Sequence, residues 1–305
     1  MLALLFPGQG SQIRGMGEDL FDKVPEFTSR EREIDTCLGF SVRKMCLEPQ
    51  GQRLNETQYT QPCLFLVNAL YYYKAIADGD RPSFFAGHSL GEYDALMAAG
   101  AFDLLTGLRL VQKRGELMSH VKNGGMAAIV GLRGERIIQI LEENGLTNLD
   151  VANYNAPSQT VVSGLVSDIN RAAPFFEKAG AQLYLPLQVS AAFHSRYMVD
   201  VANAFNEFLG TFTFAPLNAT VIANATGQPY PWGDPSKAIR SLLTRQICGS
   251  VLWTKSVDYM LANGTTTFKE AGPGDVLTKL TDKITQQRPA AAAASHSCPQ
   301  VEAAV

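Results

Sequence analysis

The chain has 305 residues, a formal net charge of −3, 46% hydrophobic and 18% charged residues. That is the balance of an ordinary globular enzyme, long enough for one large domain with an insertion or for two domains. It argues against a nucleic-acid binder, because there is no basic excess and no dense Lys/Arg run. No stretch approaches the roughly 20 apolar residues of a membrane helix.

Five cysteines, Cys37, Cys46, Cys63, Cys248 and Cys298, are widely spaced and odd in number. Without a CxxC pair they suggest neither a disulfide framework nor a zinc site, and a reducing cytoplasm is the expected setting. In chain order, the apolar run Leu2–Phe6 before Pro7-Gly8 predicts a buried strand that enters a loop at Gly8–Gln12. It lacks the basic start and cleavage site of a signal peptide. Residues 61–77 read as a helix, and Phe84-Phe85-Ala86 as a second short strand. Gly87-His88-Ser89-Leu90-Gly91 follows, then an Ala-rich helix from Glu92. The middle of the chain predicts strand 126–132, helix 134–144, strands 150–155 and 159–165, helix 167–179 and strand 181–188. The order βαββαβ is the ferredoxin-like pattern. An α/β fold is therefore expected, with a large body over 1–124 and 191–288 and a ferredoxin-like insertion over 125–190. The cleft between them is the expected ligand site. After Pro289, the run Ala290–Ala294 and Ser295-His296-Ser297 read as a flexible low-complexity tail, 289–305.

Strand, Gly-x-Ser-x-Gly turn and helix place Ser89 as a nucleophile on a sharp turn, with the helix N-terminus facing developing negative charge. A serine nucleophile needs a base. His88 adjoins it in the chain, and adjacent side chains at such a turn point apart. His120 ends a polar helix and His296 lies in the tail. His194, at the exit from the insertion, is the remaining histidine. The group that orients it stays open between Asp168, Asp200 and a backbone or amide oxygen.

These stretches occur in order with Thr60-Gln61-Pro62, Arg114-Gly115-Glu116-Leu117-Met118, Asn155-Ala156-Pro157-Ser158-Gln159, Ala192-Phe193-His194-Ser195 and Glu270-Ala271-Gly272-Pro273-Gly274. Together, over roughly residues 2–288, they resemble the malonyl-CoA:acyl carrier protein transacylase family, closest in appearance to the discrete acyltransferases that serve polyketide synthases. The resemblance implies an α/β-hydrolase-like body, Ser89 as the acyl-carrying nucleophile and His194 as the base. It implies a backbone carbonyl at Gln246 in place of a catalytic acid, and Gln9 and Leu90 amides as the oxyanion hole. Arg114 would grip the malonyl carboxylate, and Asn155 and His88 would line the pocket. Phe193, before the histidine, goes with malonyl rather than branched substrates. Asp94 stands where relatives have a small hydroxyl or alanine, and no role attaches to it.

The implied partners are malonyl-CoA and a phosphopantetheinylated acyl carrier protein, with no bound cofactor or metal, no nucleic acid and no membrane. Met1 lies only a few residues before the first strand, which suggests a freestanding protein, and the stretches Ala152–Gln159 and Val189–Met198 resemble the discrete polyketide enzymes. A malonyl transacylase of fatty acid synthesis, an acyl hydrolase that clears stalled carrier-bound chains, a generic esterase and a non-catalytic docking scaffold are the competing readings. Arg114 argues against the hydrolase, the insertion against the esterase, and the intact Ser89, His194 and Gln9 set against the scaffold.

Overall fold

The computed structural model describes residues 1–48 and 53–287, so the expected tail at 289–305 lies outside the described residues. The chain opens with β1 (Leu2–Phe6) and three short helices, α1 (Pro25–Thr28), α2 (Glu31–Leu38) and α3 (Val42–Leu47). Long α4 (Thr57–Ala77) leads to β2 (Phe84–Gly87), α5 (Gly91–Ala98) and α6 (Leu104–Ser119). Then come β3 (Gly124–Val130), α7 (Gly134–Glu143), β4 (Asp150–Ala156), β5 (Gln159–Leu165), α8 (Val166–Lys178) and β6 (Leu183–Pro186). The rest is α9 (Val199–Leu209), β7 (Thr220–Ala223), β8 (Gln228–Pro229), α10 (Pro235–Cys248), α11 (Trp253–Ala262), β9 (Thr267–Glu270) and α12 (Val276–Gln287).

The larger sheet runs β8-β7-β2-β1-β9, parallel except for β8. Its central strands read as unbroken apolar runs because both faces are covered. Successive side chains point to opposite faces. Leu4, Phe6 and Phe85 enter the core that also holds Leu64, Leu66, Leu96 and Leu108 of α4, α5 and α6. Ala3, Leu5, Phe84 and Ala86 enter the opposite core with Trp253, Val257 and Met260 of α11 and Leu277 and Leu280 of α12.

Residues 124–186 form a second, antiparallel sheet in the order β4-β5-β3-β6. Ala127, Ile129 and Val162 face Ile137, Ile140 and Leu141 of α7 and Ile169, Ala172 and Phe176 of α8. Met126 and Val161, one step out of phase, face the main core. The second sheet is therefore covered on both sides, and the body supplies one cover. A backbone bridge pins the junction: Tyr154 N donates to Val251 O at 2.9 Å, and Val251 N donates to Ala152 O at 2.8 Å. Each predicted element of this region is present. The last strand is four residues long instead of eight, because it pairs with β3 only from Leu183 to Pro186.

Candidate active site

Ser89 sits between the end of β2 and the start of α5, with φ 53°. A non-glycine residue there stores strain of roughly 1–3 kcal/mol, held by its surroundings. The flanking glycines are required by contact. A Cβ on Gly87 would fall 1.9 Å from the Gly91 carbonyl carbon, and one on Gly91 would fall 2.1 Å from Phe6 O. Gly8 approaches equally closely, since its Cβ would lie 2.3 Å from His88 O. The β1 loop and the Ser89 turn are thus pressed together at the C-terminal edge of the parallel sheet, where open α/β sheets place their ligands.

Asn224, after β7, clamps the turn. Its Oδ1 accepts from Ser89 N at 2.7 Å, and its Nδ2 donates to Gly87 O at 2.7 Å. The Ser89 amide is therefore occupied. Among the described residues, the amides of Gln9 and Leu90 have no protein acceptor. Leu90 is the N-cap of α5, so its amide also lies at the positive end of that helix. The Gln9 side chain reaches aside, Nε2 to Thr57 Oγ1 at 3.2 Å.

His194 also has a left-handed backbone, φ 58°, and is buried. Its Nε2 lies 2.7 Å from Ser89 Oγ, and its Nδ1 lies 2.8 Å from Gln246 O. A carbonyl oxygen only accepts, so Nδ1 carries the proton and Nε2 presents its lone pair to the serine hydroxyl. The open choice of orienting group thus resolves to the Gln246 carbonyl at the end of α10. Asp168 pairs with Arg171 at 3.0 Å on α8, and Asp200 is an exposed residue in the first turn of α9. Burial, then the Arg114 charge, push the His194 pKa down to about 3, which keeps the ring neutral at physiological pH.

Arg114, on α6, is fully buried. Its Nη2 donates to Ser89 Oγ and to Gln246 Oε1, both at 3.0 Å, over the Tyr93 ring. Its Nε has no partner and no carboxylate bonds it directly. The nearest compensation is Glu92. Glu92 Oε2 accepts from Gln246 Nε2 at 2.7 Å and from Asn224 N at 3.2 Å, and Oε1 accepts from Tyr230 Oη at 2.6 Å. Burial lifts that carboxyl to about 7 against those three donors. Gln246 Nε2 also donates to Ser89 O at 2.7 Å, so one side chain and its carbonyl join Ser89, His194 and Arg114.

His88 Nε2 lies 2.8 Å from Asn155 Oδ1, and its ring packs 5.6 Å from that of Trp253. Asn155 belongs to β4, the strand that the Val251 bridge ties to the body. Phe193 is buried in the main core beside His194. His120 is exposed at the end of α6. The expected residues Ser89, His194, Gln246 and Arg114 share one bonded cluster; Asn224, Tyr230 and Trp253 were not expected. An asparagine directly after an apolar strand end, as in Ala223-Asn224, is the only trace of that clamp in the sequence. From the cluster a cleft of about 900 Å³ opens between the two sheets' layers. Leu141, Asp150 and Tyr154 line one wall, and His194, Val199 and Cys248 the other.

The acyl transferase domain family matches residues 3–296. The chain is 49% identical over 286 residues to PksC of Bacillus subtilis, a polyketide biosynthesis malonyl CoA-acyl carrier protein transacylase, covering 93% of this chain and 97% of that one. A malonyl CoA-acyl carrier protein transacylase from Burkholderia pseudomallei superposes with TM-score 0.89 at 44% identity, over 95% of this chain and 99% of that one. The transacylase in a structure of a type II PKS acyl-carrier protein in complex with its malonyl-transacylase gives 0.88 at 34%, over 93% of each chain.

Proposed function

The chain belongs to the acyl transferase family and is an acyltransferase, and on that premise we propose that it carries malonyl units from malonyl-CoA to the phosphopantetheine thiol of an acyl carrier protein through an ester on Ser89. The observation that carries the malonyl part is Arg114. A buried guanidinium with an unpartnered Nε and no bonded carboxylate invites an anion from the substrate. Its planar fork suits a carboxylate, and it already touches the nucleophile.

His194 Nε2 takes the Ser89 Oγ proton as Oγ attacks the thioester carbonyl. Gln9 and Leu90 amides receive the oxyanion, with α5 directing its positive end there. The C–S bond breaks, and the coenzyme A sulfur leaves with the proton held by His194. The carrier thiol then gives its proton to His194 and attacks the ester carbonyl. The Ser89 C–O bond breaks and Oγ regains the proton. A ping-pong sequence follows, and neither half needs a metal or a redox cofactor. His88 and Asn155 border the acyl group, and the Phe193 ring limits room for an α-branch.

We read the parallel layer as an α/β-hydrolase-like body over 1–124 and 191–288 and the antiparallel layer as a ferredoxin-like subdomain over 125–190. The strand order β6-β3-β5-β4 supports the second assignment. Polyketide assembly is the favoured pathway, on the likeness to PksC. Free thiols at Cys37, Cys46, Cys63 and Cys248 fit a reducing cytoplasm. No described helix is long and apolar enough to cross a membrane. The test is transfer of label from radioactive malonyl-CoA to a holo-carrier protein by the parent and by Ser89→Ala. Label retained on acid-precipitated Ser89→Ala protein would sink the serine route.

A further inference from the structure

Behind the oxyanion loop lies a polar pair that the reaction does not use. Asn68, on α4, and Asp94, on α5, are both completely buried. Asn68 Nδ2 donates at 3.0 Å to Pro7 O and at 3.0 Å to Asp94 Oδ2. Asn68 Oδ1 and Asp94 Oδ1 each lack a partner. Two bare, dry acceptor oxygens on adjoining head groups are costly as they stand, and a single proton between them relieves both. Burial raises the Asp94 pKa well above the carboxylate range, opposed by the Asn68 amide and its own backbone amide and by no cation. Gly272 seals the pair: a Cβ there would lie 2.3 Å from the Pro7 ring and 2.4 Å from Asn68 Oδ1.

We propose that Asp94 is a positioning residue held as a neutral acid, which donates to Asn68 Oδ1 so that the Asn68 amide fixes the Pro7 carbonyl and, through it, the Gln9 amide. Acid and amide form a two-bond ring. The ring orients Asn68, and Asn68 sets the height of the Pro7-Gly8-Gln9 loop against the nucleophile turn that Gly8 touches. The proposal rests on the reading of Gln9 as an oxyanion donor.

An asparagine at position 94 reproduces the neutral acid's donor and acceptor, whereas a leucine removes both. Steady-state malonyl transfer should therefore separate the two. Asp94→Asn should hold kcat within about 2-fold. Asp94→Leu should lose about tenfold in kcat at near-constant KM, less than the 10²–10³ lost when an oxyanion donor is removed outright. Asn68→Ala should match Asp94→Leu, and the double variant should fall no further than either. A thermal melt of each variant confirms that a folded enzyme is compared. Asp94→Asn falling as far as Asp94→Leu overturns the neutral acid, and parent-like kcat in both overturns the brace. Failure of the acyl-transfer reading is distinguishable, because it appears in the parent as no adduct on Ser89.

Discussion

Ser89 Oγ faces two nitrogen groups with opposite effects. His194 Nε2 at 2.7 Å draws the hydroxyl proton away, and Arg114 Nη2 at 3.0 Å donates to the oxygen itself. A substrate carboxylate that takes up the guanidinium frees a lone pair on Oγ and offsets the charge that depresses His194. Malonyl thioesters should thus gain in turnover as well as in binding. Arg114→Ala should lower malonyl kcat/KM by roughly 10- to 150-fold, the worth of one charge-assisted hydrogen bond, while acetyl transfer holds or rises. Unchanged malonyl kinetics in a two-substrate assay would remove Arg114 from the site. The base carries a second expectation. A histidine whose folded pKa lies near 3 keeps its lone pair down to acid pH. The acid limb of kcat/KM for Ser89 acylation should therefore lie at least one unit below the ordinary histidine value of about 6.5. A limb at the ordinary value would contradict the buried, cation-facing ring.

At the scale of elements, the site is a set of strand ends tied by side chains. β1 brings Gln9, β2 brings Ser89, β7 brings Asn224, and α10 brings the Gln246 carbonyl that sets the His194 tautomer. Asn224→Ala should strand Ser89 N and Gly87 O at about 1–3 kcal/mol each. A loss of roughly 2–6 kcal/mol in urea unfolding is expected; a loss under about 1 kcal/mol would mean that the turn holds itself. The strands that position the site were legible because β1 and β2 are apolar on both faces and end in Pro-Gly or Gly. The Ser89 turn was legible because Gly87 and Gly91 have no room for a Cβ, and that need leaves a spaced pattern. His194 was reached because only four histidines exist. Its orienting group was not, because a backbone carbonyl leaves no mark in side-chain pattern, and only the family resemblance pointed to Gln246. Glu92, Asn224 and Tyr230 stayed silent for a related reason. A buried hydrogen-bond network is defined by partners more than 130 residues apart, and local periodicity carries no such information.

On the scale of the whole molecule, the two layers make a cleft that reaches His194. The Val251 bridge keeps the antiparallel layer close to the body, so the walls around Asp150, Tyr154, Val199 and Cys248 face each other across a path to His194. Val199 is exposed on that wall. Val199→Trp should raise KM for malonyl-CoA and for the holo-carrier together, and leave Ser89 labelling by a small sulfonyl fluoride at the parent rate. Unaltered KM for both would place the pantetheine path elsewhere.

The most direct measurement is intact-protein mass spectrometry after brief exposure to equal malonyl-CoA, methylmalonyl-CoA and acetyl-CoA, followed by addition of holo-carrier protein. A malonyl adduct on Ser89 is expected, and it disappears as the carrier gains the same mass. An adduct on another residue, a preference for acetyl, or free coenzyme A released with no adduct on either protein would contradict malonyl transfer through Ser89.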